Sequence, residues 1–554
     1  MELNPSAHVD TFARDNLPAD ERWPDLEFTL PELNYPPRLN AAGELIDRAV
    51  AEHGPDRLAL LTPEGERWTY GELQHRANQI AQVLTEDFGV VPGNRVLLRS
   101  PNNPWTVACW LGVLKAGGVV VTTMFALRAN EIEPLIRVTR PVVAISDHRF
   151  VDDLREAVVA SHYDLRLVTF GGDRDDDLVR LAEAKSGEFT NVETASDDVA
   201  LLGPTSGSTG VPKITMHFHR DILANADTFA KHVLKPTADD LFACTAPFAF
   251  TFGLGALVVF PLRVGAASLL IEKATPAQLA DLVAQHGVTC LFTAPTAYRQ
   301  ILKENKESQL ASVRRAVSAG EHLPEDVWHE VQRRTGLRLI DGIGATEMLH
   351  IFISAADDDI RPGATGRPVP GFSAKIVDAD GNDAPPGTLG RLAVRGPIGC
   401  RYLNDDRQLD YVQDGWNLTG DTFTMDEDGY FWYSARSDNM IISSGYNIGA
   451  PEVEMAVDQH PDVAETAVVG RPDPDRGSVV CAFVVLRDGI VGDDAKRKEI
   501  QDFVKQKIAP YKYPRDIRFV AALPRNPSGK LQHFRLREQL AAETAQPAAV
   551  PQER

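Results

Sequence analysis

The 554-residue chain is longer than one hydrophobic core ordinarily serves, which predicts at least two domains. With 43% hydrophobic and 24% charged residues it has the balance of an ordinary soluble globular protein, which excludes a mainly disordered chain. A formal charge of −21 excludes nonspecific attraction to nucleic acid or an anionic membrane, so an anionic substrate must be drawn in by a local positive site.

Residues 1–40 carry several prolines and acidic groups with little periodicity and are expected to drape over the main body. The first residues have neither a basic start nor an apolar run, so no secretory signal is read there and a cytoplasmic protein is expected. From Ala42 amphipathic helices alternate with short apolar strands: helices over 45–51, 70–84 and around 106–115, strands over 58–61, 95–99, 118–122, 142–145 and 165–170. Residues 241–262 are uncharged and nominally long enough to span a membrane. Pro247, Gly253, Gly255 and Pro261 make a poor lipid-facing helix, so buried strand and loop are predicted there. A strand over 266–271, a helix over 276–286, a strand over 288–292 and a helix from Thr296 continue the rhythm. Such alternation predicts βαβ units, with helices packed on the faces of sheets, and no repeat architecture.

Residues 366–433 are turn-rich and β-flavoured, with Asp-Gly turns at 380–381, 414–415 and 428–429. The pattern changes near 435–440. After it, a helix over 450–458, strands over 465–469 and 479–486 and a helix over 495–508 make a segment the size of a small independent domain. The predicted organisation is a large domain over 1–437, a small α+β domain over 438–540 and a flexible tail over 541–554. Cys109, Cys244, Cys290, Cys400 and Cys481 lie far apart without metal-ligand spacing and are expected to be reduced in or near the core.

The densest chemistry lies in Thr205, Ser206, Gly207, Ser208, Thr209 and Gly210, followed by Val211, Pro212 and Lys213. Hydroxyls and glycines in this order make a loop whose N–H groups can close on an anion, and Lys213 adds a positive charge. A kinase-type P-loop is excluded, because Val211 and Pro212 separate Gly210 from the lysine and Ile214 stands where a metal-binding hydroxyl would be. Asp341, Gly342, Ile343, Gly344, Ala345, Thr346 and Glu347 follow the apolar run 337–340 and read as a loop leaving a strand. They approach a dinucleotide fingerprint, but Glu347 stands where a third small residue belongs, which makes NAD the weaker alternative.

Together these motifs resemble the adenylate-forming enzymes, which include acyl-CoA synthetases, nonribosomal-peptide adenylation domains and luciferases, and the match runs from about residue 42 to 537. The resemblance implies an α/β fold, with a large N-terminal domain of βαβ-layered sheets, a β-rich subdomain and a small mobile C-terminal domain. It implies ATP, Mg2+ and coenzyme A as reactants, with a small acid as the partner molecule, and is compatible with a homodimer. By resemblance, ATP is held by the loop 205–210 and Lys213, by Gly320 and Glu321 of the segment Ser318 to His322, by Asp341, Gly342, Ile343 and Thr346, and by Asp421 and Arg436. Glu347 is the implied metal ligand and Thr346 a phosphate ligand. Lys530, in the segment Pro524 to Lys530, is the implied catalytic lysine, and Asp438 the hinge; Asn439 departs from the family pattern. Gly445 and Tyr446 would line the coenzyme A path.

Ile343 stands where most of the family has an aromatic residue, a departure that resembles the benzoate-type aryl-CoA ligases. The segments Ser6 to Asp15 and Thr346 to Phe352 further resemble 2-aminobenzoate-CoA ligases. An aromatic carboxylate pocket is therefore expected from Phe248, Ala249, Phe250, Ile343, Gly344, Met348 and His350, with His350 or Thr251 as readers of an ortho substituent. The alternatives are a benzoate- or salicylate-type ligase, a stand-alone aryl adenylation enzyme that loads a carrier protein, and an inert binding protein. His217 and His219 read as structural, since no third metal ligand accompanies them.

Overall fold

The computed structural model describes residues 2–205, 212–378, 381–436, 440–525 and 531–545. Among these, 2–205 and 212–436 form one compact unit and 440–545 a second.

The first unit holds two large sheets. One has six strands, in the order Arg166–Phe170, Val143–Asp147, Arg95–Arg99, Val119–Thr123, Val199–Thr205 and Lys213–Phe218, parallel except for the last. The other has nine, with a parallel centre of Ile340–Gly344, Arg315–Ser318, Cys290–Thr293, Leu241–Cys244, Ala267–Leu269 and Leu58–Leu61. Central strands such as Val119–Thr123 are buried along their whole length, as expected where helices cover both faces. Leu60 and Phe242 of one sheet and Val96 and Val120 of the other share a single hydrophobic cluster with Ala77, Ile80, Cys109 and Trp110 from the helices Tyr70–Gln82 and Pro104–Lys115. Thr69 and Asn103 start those helices by accepting backbone N–H bonds, and Pro104 occupies the first turn, where its missing donor costs nothing.

Three sequence expectations shift. Residues 251–264 are helical, running through Thr251–Leu254, a wide π-helical turn Gly255–Val259 and Phe260–Val264, where strand and loop were predicted. Pro261 falls near the start of the last segment, where its missing donor does no harm. Asp341 to Gly344 lie inside the strand Ile340–Gly344, so the loop begins only at Ala345. The last helix, His533–Ala545, runs past residue 540, where a tail was expected, because Leu536 and Leu540 are buried in the second unit's core.

The N-terminal segment does lie over the sheets. Asn4 donates to Asp197, Ser6 to Asp198, and Arg95 is paired with Asp10. The β-rich part of this unit is a five-stranded antiparallel sheet from Ser373–Val377, Gly390–Arg395, Val412–Gln413, Trp416–Met425 and Phe431–Arg436. Asp414 and Gly415, with φ of 49° and 74°, make the tight turn expected there. In the second unit, Val463–Asp473, Gly477–Leu486 and Asp516–Phe519 form a three-stranded sheet. Its period-two alternation sends Val468, Val480, Ala482 and Val484 to one core and Ala467, Val469, Cys481 and Phe483 to the other. No helix among the described residues is long and apolar enough to cross a membrane.

Candidate active site

Open parallel sheets present ligand sites at the carboxyl ends of their strands, and most of the residues singled out in the sequence lie at or just beyond such ends in the first unit. Thr205 and Lys213 are directly paired at the tip of the antiparallel hairpin formed by Val199–Thr205 and Lys213–Phe218. Ser206, Gly207, Ser208, Thr209 and Gly210 lie outside the described residues, as do Asp438 and Lys530. Thr205 Oγ1 is buried and finds no hydrogen-bond partner among the described residues.

The strand after the hairpin alternates strictly. Ile214, Met216 and Phe218 enter a hydrophobic cluster, which sends Lys213, Thr215 and His217 to the opposite face. Two of these, Lys213 and His217, meet the turn Thr346–Met348, and Thr215 lies between them, donating to the Gly203 carbonyl. Lys213 Nζ lies 3.8 Å from Glu347 Oε1, and His217 Nε2 donates to the Thr346 carbonyl at 2.8 Å. Gly203 faces the same turn, where an added Cβ would stand 3.1 Å from Thr346 Cγ2 and 2.7 Å from Thr215 Oγ1. A second chain segment reaches this place from far along the sequence. Met216 N–H donates to the Arg401 carbonyl and Leu403 N–H to the Ile214 carbonyl, so 401–403 lies as an antiparallel neighbour of Lys213–Phe218. Tyr402 then donates its hydroxyl to Glu347 Oε1 at 2.5 Å, with Lys213 Nζ 4.9 Å from its ring centre.

Burial fixes the protonation of this cluster. Desolvation, then the Arg401 charge, hold the His217 imidazole down to about 3, so it is neutral, and the carbonyl it bonds requires the proton on Nε2. Desolvation and the Glu347 charge push the Tyr402 hydroxyl well above its ordinary range, which keeps it a donor. The Glu347 carboxylate supplies hard oxygen donors of the kind that fit a hard divalent cation such as Mg2+. In the second unit His460, Asp462 and Glu499 also cluster, but the Lys496 ammonium lies 2.6 Å from both carboxylates and already serves as their cation.

Thr346–Met348 ends in strain. Leu349 has φ 66° and ψ −33°, and the His350 N–H closes back on the Met348 carbonyl at 2.8 Å, a γ-turn of the costly hand for a branched side chain. Leu349 is held there by burial. Beyond it, the His350 ring is enclosed by Phe229, Phe252, Phe260 and Phe292, with centroids 4.6 to 6.5 Å away. An added Cβ on Gly255 would stand 2.4 Å from His350 Cδ2, so only glycine leaves room for the ring. Burial lowers this imidazole to about 3. The backbone of Phe252 lies beside it, and neither ring nitrogen makes a well-formed hydrogen bond among the described residues.

Phe248 and Ala249 are positioned by residues that sequence reading passed over. Asn102 accepts the Phe248 N–H at 2.7 Å and donates to the Ala246 carbonyl, and Thr122 donates to the Ala249 carbonyl. Phe250 closes the turn by donating its N–H to the Pro247 carbonyl. Met348 is buried, Ile343 half-buried, and Gly344 packs so closely on His350 that a Cβ would stand 2.7 Å from its carbonyl oxygen.

On the other side, Ser318 pairs with Asp341 across parallel strands, which brings the segments 318–322 and 341–347 together. Desolvation raises the Asp341 carboxyl well above the ordinary carboxylate range. Gly320 has φ 86°, which bends the segment ahead of Glu321. His322 stacks on Tyr433 at 5.2 Å, and Tyr433 lies across from Phe423 on the strand that carries Asp421. Asp421 and Arg436 are directly paired across adjacent strands. In the second unit Ser444 and Gly445 form a two-residue turn with φ of 49° and 81°, and Tyr446 stacks on Tyr511 at 4.5 Å. All five cysteines are free and buried, and burial raises the Cys400 thiol near this site well above its ordinary range.

A family model described as AMP-binding enzyme matches residues 46–401, and one described as AMP-binding enzyme C-terminal domain matches 452–530. Benzoate-CoA ligase of Thauera aromatica is 34% identical over 520 residues, covering 92% of this chain and 98% of that protein. The solved anthranilate CoA ligase AuaEII, in complex with anthranoyl-AMP, has a TM-score of 0.71 at 32% identity, covering 93% of this chain and 100% of that one. The amide bond synthetase McbA from Marinactinospora thermotolerans has a TM-score of 0.82 at 25% identity, covering 90% and 99%. With both models matched in order and a relative above 30% identity spanning nearly the whole chain, the protein belongs to the adenylate-forming AMP-binding enzyme family and is an acid–thiol ligase.

Proposed function

We propose that the protein is an ATP-dependent aryl-CoA ligase whose preferred acid is 2-aminobenzoate, with benzoate or a hydroxybenzoate next. The observation that carries this reading is the continuity of one turn: Glu347 is paired with Lys213, and three residues on His350 is enclosed by four phenylalanines. The His350 ring fills the space among those phenylalanines, so it backs an aromatic wall, and a charged end and an aromatic wall on one segment suit a substrate with a carboxylate at one end and a planar ring at the other. The relatives named for benzoate and anthranilate support the same class.

In the first half-reaction a carboxylate oxygen of the acid bonds to the α-phosphorus of ATP as the bond to pyrophosphate breaks, giving an acyl-adenylate. In the second, the coenzyme A thiol, losing its proton, bonds to the acyl carbon, and AMP leaves with the bonding pair. Two anions must meet in the first half, so opposing charge at the phosphates governs its rate. Lys213 supplies such charge, while Thr205, Thr346 and the loop 206–210 donate hydrogen bonds to phosphate oxygens. A divalent cation bound at Glu347 would offset phosphate charge further. Asp421 accepts from the ribose hydroxyls beside Arg436, and Gly320, Glu321, Asp341, Gly342 and Ile343 border the adenine. Phe248, Ala249, Phe250, Gly344, Met348 and His350 hold the ring of the acid. Lys530 is assigned to neutralising charge in adenylation, Asp438 to the hinge, and Gly445 and Tyr446 to the coenzyme A path.

ATP–pyrophosphate exchange with 2-aminobenzoate, benzoate, 3-hydroxybenzoate and acetate tests the acid, and AMP release with coenzyme A or a free amine tests the acceptor. Exchange with the aromatic acids but not acetate, and thiol-dependent AMP release, are expected. No exchange with any aromatic acid, or release driven by the amine alone, overturns the reading. Lys530→Ala is expected to abolish exchange. His350→Ala should lower the ratio of 2-aminobenzoate to benzoate activity, and an unchanged ratio removes the histidine from substrate recognition.

A further inference from the structure

The turn that carries Thr346 and Glu347 is three residues long and runs directly into the strained Leu349. So short a segment has no internal ladder to fix a carboxylate, and here the fixing is done by two buried side chains from elsewhere. Thr215 and Tyr402 are bridge partners on adjacent antiparallel segments, and His217 lies two residues along from Thr215, so all three project from one face. From that face His217 holds the Thr346 carbonyl at 2.8 Å, and Tyr402 holds Glu347 Oε1 at 2.5 Å. Tyr402 and His217 are both fully buried.

We propose that Tyr402 is a positioning residue for Glu347, and that His217 holds the backbone of the same turn so that the bond from Tyr402 stays formed. This rests on the reading of Glu347 as the metal ligand in adenylation. The tyrosine reaches the site because 401–403 lies beside the strand Lys213–Phe218. The hairpin end that carries Thr205 and Lys213 and the clamp on the carboxylate are therefore one structural piece. A hydroxyl that orients a metal-binding carboxylate contributes about tenfold or more to metal affinity.

Tyr402→Phe removes one oxygen and leaves the ring beneath Lys213. Binding of Mn2+, read by its electron paramagnetic resonance signal in the presence of ATP, should weaken about tenfold in this variant. ATP binding without metal should be unchanged, and exchange should demand more Mg2+ while the KM for the acid holds. A merely structural tyrosine would lower the unfolding midpoint and leave Mn2+ affinity untouched, and that result overturns the proposal. Combining Tyr402→Phe with Glu347→Gln should add nothing to the metal defect of Glu347→Gln alone, and additive losses would overturn it as well. His217→Gln, whose amide can still donate to the carbonyl, should keep most of the Mn2+ affinity that His217→Leu loses; equal affinities in the two overturn the part assigned to His217. If the wild-type protein with ATP binds no Mn2+ at all, the reading of Glu347 fails and the tyrosine proposal falls with it. Wild-type binding that Tyr402→Phe leaves unchanged removes the tyrosine alone.

Discussion

Replacing Asp221 by alanine should destabilise the first unit by about 3 kcal/mol, because it strands a guanidinium in the core. Asp221 and Arg401 form an ion pair in which both side chains are fully buried. Asp221 also accepts the Phe218 N–H at 2.9 Å, which starts the helix His219–Asn225. An arginine cannot shed its proton to escape burial. Breaking a buried pair from one side costs about 3 to 5 kcal/mol. The lower end applies here, since the guanidinium keeps the Met216 carbonyl at 3.3 Å and the rings of Phe218 and Trp23 at 4.0 and 5.5 Å. About 3 kcal/mol is roughly a hundredfold in the folding equilibrium. Urea unfolding followed by tryptophan fluorescence reads this directly, because Trp23 reports on the Arg401 environment. Asp221→Asn, which keeps an acceptor for the Phe218 N–H, should cost less than the alanine. The double replacement Asp221→Leu with Arg401→Met should recover most of the loss, since two apolar side chains leave no charge to desolvate. An alanine variant within about 1 kcal/mol of wild type, or a double variant no better than the alanine, would refute the reasoning.

Stability should also fall on mild acidification. His217, His219 and His350 are each held down to about 3 by burial, so the folded protein keeps them neutral while an unfolded chain protonates them near 6.5. The unfolded state binds the extra protons below that value, so stability is flat above about pH 6.5 and drops by up to about 1.4 kcal/mol per pH unit for each histidine as pH falls. Thermal midpoints measured from pH 8 to 5 should show the bend, and a level profile across about pH 7 to 5.5 would contradict the assigned neutral state. Lys213→Ala should lower kcat/KM for ATP in pyrophosphate exchange by about a hundredfold or more, since under the proposed function it removes a preorganised positive charge from the phosphates. Its unfolding midpoint should stay near that of the wild type, because the lysine is half-buried and its partner Glu347 keeps Tyr402; a large fall in stability with activity retained would reverse the assignment.

Much of this protein was legible along the chain wherever local physics sufficed. The strands Leu58–Leu61 and Arg95–Arg99 and the helices Pro276–His286 and Ala450–Asp458 fall where apolar period and capping residues predict them. The hydroxyl-and-glycine run at 205–213, the Thr346–Glu347 pair and the family that they signal were likewise visible, because that family is recognised by particular residues at fixed spacing. Where proline and glycine suggested a break, as at 251–264, burial on all sides overrode local propensity and a helix formed.

What the chain alone could not disclose was which distant residues meet. The alternation Lys213, Thr215, His217 against Ile214, Met216, Phe218 was readable as a two-faced strand, yet nothing local assigns one face to Glu347. Tyr402 lies 55 residues from the carboxylate it holds, and Asn102 lies 146 from the backbone N–H it accepts. Hydrogen bonds of that separation follow from strand order and register, which the whole core selects through burial. The residue types assigned to the chemistry are therefore written locally, and their mutual placement is set by the two sheets of the first unit.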